Sequence, residues 1–148
     1  MRKLMQASLI ALILAAPAAM AQNTSAAGTW KTIDDETGKP KSLVRITEES
    51  GVLTGKIEKL FRPADQDQNP KCTACEGTRK DQPIIGMTIL SGLKRDGNEY
   101  TGGEILDPSK GKTYKSKAAL KDNGSKLEVR GYIGAPMFGR SQTWVREQ

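Results

Sequence analysis

The chain has 148 residues, with 23 Lys and Arg against 17 Asp and Glu for a formal charge of +6, two cysteines and no histidine. That length supports one domain around one core, and the lack of histidine removes Ser-His-Asp triads, Cys-His pairs and imidazole zinc sites. General acid–base work would fall to carboxylates, lysine or tyrosine, which need large pKa shifts near neutrality; no carboxylate pairing of that kind is visible, so a non-enzyme without cofactor or metal is expected.

Arg2 and Lys3, the largely apolar run Leu4 to Ala16 and the Ala19-Met20-Ala21 site form the pattern of a secretory signal peptide cut after Ala21. The run is short of the roughly 20 apolar residues that a spanning helix needs. The expectation is therefore a periplasmic or secreted protein with no membrane span. Removing Arg2 and Lys3 lowers the formal charge by two. The remaining excess is spread over turns and outward positions, and after export nucleic acid is not an expected partner. Residues 22–27 are small and polar, a flexible lead-in to a single domain over 28–148.

Short stretches with period-2 alternation, each closed by a turn signal, fill that domain. The first predicted strand runs from Gly28 to Asp34 with Trp30 inward, followed by a turn from Asp35 to Pro40. The second covers Ser42 to Glu48, with Val44 and Ile46 on one face. Ser50-Gly51 turns the chain into the third, Val52 to Phe61, where Leu53, Gly55, Ile57 and Phe61 share a side. A polar loop, 62–83, carries Pro63, Pro70 and Pro83, which argue against regular structure. The fourth strand lies near Gly86 to Lys94 with Met87, Ile89 and Leu93 inward, and Asp96-Gly97 is a hairpin signal. The fifth, Glu99 to Leu106, contains Gly102-Gly103, the mark of a bulge or sharp bend. After the turn Asp107 to Gly111, Lys115 to Lys121 carries Ser116, Ala118 and Leu120 on the face of Tyr114. Asp122-Asn123-Gly124 leads into Leu127, Val129, Gly131 and Ile133. A last strand, Met137 to Arg146, follows Gly134-Ala135-Pro136. Eight antiparallel strands without intervening helices predict an all-β fold, a single up-and-down barrel wide enough to be filled by side chains or to hold one small ligand.

Cys72-Thr73-Ala74-Cys75 admits three readings. A redox pair is usually activated at a helix N-terminus, but Glu76 to Pro83 is turn-like. A metal site would need two more ligands from Asp65, Asp67 or Glu76, a poor zinc set. The preferred reading is a structural disulfide between Cys72 and Cys75 in an oxidising compartment, worth about 2 kcal/mol in the chain-entropy picture, that pins the loop 62–83.

The last strand places Phe138, Arg140, Gln142, Trp144 and Arg146 on one face. If the aromatics point inward, Arg140 and Gln142 follow and need partners, since an unpaired buried charge is costly; Asp34, on the face of Trp30, is the expected partner. The candidate ligand site is a cavity in which Arg140 holds an anionic head group, Gln142 and Tyr114 donate hydrogen bonds, and Trp30 and Trp144 form the apolar wall. The competing reading is a network that only fixes register at one end of the barrel.

Gly28-Thr29-Trp30 with Arg146 near the chain's end resembles the lipocalin arrangement, in which an arginine covers the tryptophan to close the barrel. A broader resemblance is to the exported bacterial family called domain of unknown function 2147. It rests on Gly28-Thr29-Trp30 with Asp34-Asp35 and Thr37-Gly38, on Cys72 to Cys75, and on Pro83 to Met87. It continues through Gly103 to Pro108, Gly111 to Tyr114, Val129 to Gly134 and Gly139 to Trp144. The resemblance implies a lipocalin-like barrel and export, and carries no activity or site residues with it.

Three function classes follow. The first is a monomeric envelope barrel that binds a small, amphipathic or anionic molecule. The second is an accessory module that binds an envelope protein through the loop 62–83 and the turn 35–41, since loops on a rigid scaffold often carry binding. The third is a thiol-redox protein.

Overall fold

The computed structural model describes residues 14–15 and 24–147. The expected leader and its cleavage point therefore lie outside the described residues, apart from Leu14 and Ala15. Eight strands follow in order: β1 Gly28–Ile33, β2 Pro40–Glu49, β3 Val52–Leu60, β4 Thr88–Asp96, β5 Glu99–Asp107, β6 Lys112–Lys121, β7 Lys126–Tyr132 and β8 Gly139–Arg146. Each pairs antiparallel with the next and β8 returns to β1, closing an all-β barrel. Among the described residues no helix is long and apolar enough to cross a membrane.

The up-and-down order sends alternate connections to opposite ends. One end is made of tight turns. Ser50 and Gly51 both take positive φ, as a two-residue hairpin turn requires, and Gly97 does so at the next turn. Asp122 to Gly124 makes the third. The other end carries the long connections 34–39, 61–87, 108–111 and 133–138. One end is tight and the other is open.

Inward positions of the tight half form the core. Trp30, Val44, Leu53, Leu90, Leu93 and Leu127 are fully buried. Gly55 faces them because a Cβ there would lie 3.0 Å from Leu90 Cβ and 3.2 Å from Val44 Cγ1.

Strand β4 departs from simple alternation. Gly55 pairs with Leu90 but Lys56 with Thr88, and Leu53 pairs with Leu93 but Thr54 with Ser91. Each skip is a one-residue bulge, which flips the parity of everything beyond it. Ile89 and Leu90 are consequently both buried, and Leu90 joins the inward set expected from period 2 alone. In β5 the expected irregularity lies at Gly102-Gly103, where the pairing with β6 shifts and Gly102 takes φ +73.

The lead-in expected to be flexible is held fast over residues 24–27. It folds across the tight end, where Ala26 is fully buried and its N–H donates to the Tyr100 hydroxyl at 3.2 Å. The last strand starts at Gly139, two residues later than the periodicity predicts, so Phe138 lies in the preceding connection and is 69% exposed.

Candidate functional site

The tight end is sealed by charge and hydrogen bonding. Trp30 Nε1 donates to Ala26 O at 2.8 Å, and the Arg146 guanidinium lies over the Trp30 ring, 4.3 Å from its centroid. Arg146 also donates to Gly124 O, Ala27 O and Ser25 O, each at 2.7 Å. Beside it, Arg95 bridges Glu48 at 3.2 Å and the Tyr100 hydroxyl at 2.6 Å, and the Ser25 hydroxyl donates to Glu48 Oε2.

Burial alone would raise the Glu48 carboxyl, but the Ser25 hydroxyl and the Arg95 guanidinium outweigh it and hold the group below the ordinary 4.5. A folded-state value below the unfolded one means that ionised Glu48 adds stability above about 4.5, which is lost as pH falls through the lower folded value. Glu48→Gln should lower the melting temperature at neutral pH and flatten its decline on acidification. Parallel acid limbs for the two proteins, in thermal melts over a pH series, would contradict this.

The open end leads into a cavity of about 1020 Å³. Its inner wall is apolar, with Ile57, Leu60, Ile89, Leu106, Val129 and Trp144 among the lining. Two polar features interrupt that wall. The Thr32 and Ser42 hydroxyls share a hydrogen bond of 2.7 Å, and Trp144 Nε1 donates to Gln142 Oε1 at 3.2 Å. The mouth is basic: Lys39, Lys41, Arg62, Lys71, Lys110 and Arg140 line it, against Asp34, Asp67 and Asp107. Lys41 stands 3.9 Å from Asp34, whereas Lys39, Lys71 and Lys110 form no ion pair among the described residues.

Of the residues predicted for the site, Trp144, Gln142 and Tyr114 line this cavity, and Asp34 and Arg140 stand at its mouth. Trp30 does not line it: the ring is packed at the sealed end beneath Arg146. Arg140 is not an interior head-group holder. Its side chain is 58% exposed and donates to Asp35 Oδ2 at 2.6 Å and Glu36 Oε1 at 3.4 Å. Asp34, the expected partner, is occupied by its own turn, accepting from Glu36 N at 2.9 Å and Thr37 N at 2.8 Å. Those backbone donors, Thr37 first, lower its pKa, and the turn they build projects Asp35 and Glu36 toward β8.

The unpaired lysines escaped the sequence reading because they lie in connections without periodicity. Topology carries the missing signal. In an up-and-down barrel the first, third, fifth and seventh connections share one end, so Lys39, Lys71 and Lys110 converge although they are distant in sequence.

Cys72 and Cys75 form a disulfide with Cα atoms 5.3 Å apart, and both are buried. The surrounding loop is tied by its own backbone. Cys72 N donates to Gln82 O at 2.8 Å, Asp81 N to Cys72 O at 2.9 Å and Ile84 N to Pro70 O at 3.0 Å. Ala74 packs against Gly111 in the β5–β6 turn. Residues of this loop and of the 35–41 turn, both expected as a protein-binding surface, contribute to the cavity mouth. Among the described residues there is no group of three or more His, Cys, Asp or Glu that could hold a metal ion.

A family model described as "Uncharacterized protein conserved in bacteria (DUF2147)" matches residues 28–146. No curated protein matches the chain. The chain is similar in structure to protein HP1028 from Helicobacter pylori, described as belonging to the lipocalin family, with a TM-score of 0.70 and 22% identity over 85% of each chain. At that identity the likeness is one of fold.

Proposed function

The chain belongs to the DUF2147 family of bacterial proteins, and on that premise we propose that it binds a small amphipathic anion, without catalysis, in the bacterial envelope. The observation that carries this reading is the polarity of the cavity of about 1020 Å³, apolar inside and with Lys39, Lys71 and Lys110 at the mouth, which form no ion pair among the described residues. A cavity of this size suits a molecule of drug or fatty-acid dimensions. An acyl tail would lie against Trp144, Ile57 and Val129, with its carboxylate or phosphate at Lys39, Lys71 and Lys110. Gln142 and the Thr32–Ser42 pair offer hydrogen bonds within the wall. The envelope location rests on the leader read from residues 1–21.

Displacement of a fluorescent fatty acid separates tail from head group. Palmitate should compete better than hexadecanol, because only the former is anionic. Replacing Lys39, Lys71 and Lys110 together by Gln should weaken palmitate about tenfold, since each exposed pairing is worth up to about 1 kcal/mol, and should leave hexadecanol unchanged. Equal affinities for acid and alcohol, or no displacement by either, would overturn the reading.

A further inference from the structure

The connection between β7 and β8 holds three large apolar side chains in the open: Ile133 is 69% exposed, Met137 76% and Phe138 69%. This is a braced loop. Ile133 N donates to Phe138 O at 3.2 Å and Phe138 N to Ala135 O at 3.0 Å. Arg130 grips it from β7, donating to Pro136 O at 2.5 Å and to Ser141 Oγ at 2.9 Å. Each such side chain is more stable out of water than in it. A loop that is hydrogen-bonded in place and yet keeps them in water points to an apolar partner outside the chain.

The surroundings say which partner. Arg79 and Lys112 share a cleft with Ile133, Lys115 pairs across the ladder with Tyr132, and Lys117 with Arg130. The carboxylates nearby are Glu76, in the same cleft, Glu104, opposite Lys115, Asp107, opposite Lys112, and Glu128, two residues before Arg130 on β7; Asp107 accepts from Ser109, and Asp35 and Glu36 are engaged with Arg140. An apolar tip inside a basic collar matches a bilayer with anionic head groups, where the tip enters the acyl boundary and the collar meets the phosphates. We propose that the 133–138 loop docks the barrel on an anionic membrane surface. Ile133 and Phe138 also line the cavity, so docking sets its mouth against the lipid. The proposal does not depend on what the cavity holds.

Co-sedimentation with lipid vesicles tests it, using the chain without residues 1–21, which precede the barrel. Binding should be strong to phosphatidylcholine vesicles doped with phosphatidylglycerol, weak to phosphatidylcholine alone, and reduced by salt. Replacing Met137 and Phe138 by Ser should lower partitioning at least about tenfold, with an unchanged melting temperature because both side chains are already exposed. Lys112→Glu with Lys115→Glu should abolish the preference for phosphatidylglycerol. Met137→Ser alone, which touches no cavity wall, should weaken docking and leave fatty-acid displacement intact. Failure of displacement with vesicle binding preserved would sink the cavity reading and leave this one standing. Equal vesicle binding by the wild type and the Met137/Phe138 double variant would overturn the docking proposal. So would light scattering that shows a protein dimer dissolved by that double variant.

Discussion

Arg146→Ala is expected to destabilise the barrel by about 3 kcal/mol, read as a shift of the urea midpoint at neutral pH without loss of two-state behaviour. The seam that Arg146 guards is short: β8 and β1 meet in two residue pairs, Trp30 with Arg146 and Lys31 with Val145, while β7 and β8 share seven. Beyond that ladder the seam relies on Glu147 N donating to Thr29 O at 2.8 Å, the Lys31–Glu147 ion pair at 2.6 Å, and Arg146 itself. The guanidinium ties β8 to two other segments, the Asp122–Gly124 turn through Gly124 O and the lead-in through Ala27 O and Ser25 O. Hydrogen bonds from a charged donor contribute about 1.5–3 kcal/mol each before the cost of desolvating the ion. Partial burial of Arg146 lowers its pKa, which is that cost made visible. Stacking on Trp30 adds about 1–2 kcal/mol in so enclosed a place. Removal frees three carbonyls and uncovers an indole, a large share of the roughly 5–15 kcal/mol that holds an ordinary domain together. Arg146→Lys should recover less than half of the loss, because a point charge cannot serve three divergent acceptors. A midpoint for Arg146→Ala close to that of the wild type would show that the seam is held elsewhere.

That Arg146 covers Trp30 was expected from the resemblance to the lipocalin arrangement, not from strand periodicity, and the guanidinium does lie over the Trp30 ring. The barrel was legible from the periodicity itself. In β6 and β7 the alternation of Ser116 and Ala118 with Lys115 and Lys117, and of Leu127 and Val129 with Glu128 and Arg130, runs unbroken between strong turns. Strand β4 was less legible, since two bulges reset its parity and the residue gained by the core, Leu90, reads as outward when counted from Met87. The site divides in the same way. Trp144 and Gln142 sit on a strand, so periodicity could find them. Arg140 stands one pair inside the end of the ladder, opposite Gly131, where a long side chain can leave the barrel for the rim, and it does so because Asp35 and Glu36 wait there. Period 2 gives the direction of a Cβ and says nothing of where a flexible guanidinium ends. Asp34 misled for a comparable reason: a carboxylate placed just before Thr37-Gly38 finds two backbone donors of its own turn before any partner across the barrel.

Gly111→Ala is the second change expected to have a large effect, and its consequence is specific. Gly111 takes φ +65 in the β5–β6 turn, and a Cβ there would lie 1.9 Å from Ala74 O and 2.3 Å from Ala74 C. The obstacle is backbone, and the backbone is that of the Cys72–Cys75 loop, so a rotamer change cannot relieve it. Left-handed strain costs about 1–2 kcal/mol for a residue with a Cβ, and forcing the two loops apart costs about 1–3 kcal/mol more. The easier response is for the disulfide loop to lift from the turn, exposing Cys72 and Cys75, which are 1% and 2% exposed in the native structure, and breaking the contact of Cys72 Sγ with Pro108 O at 3.4 Å. The variant should therefore lose about 3 kcal/mol by denaturant titration, and its disulfide should be reduced by dithiothreitol well before the wild-type bond. Thr73, Ala74, Pro108 and Lys110 border the cavity mouth, so palmitate affinity should fall with the same substitution. Gly77, whose φ is +63 with open space around the missing Cβ, is the control: Gly77→Ala carries the same backbone strain and no collision. It should cost only the left-handed term and leave both reduction rate and affinity near wild type. If the two alanine variants behaved alike, packing of the disulfide loop against the β5–β6 turn would not be what holds that wall of the cavity in place.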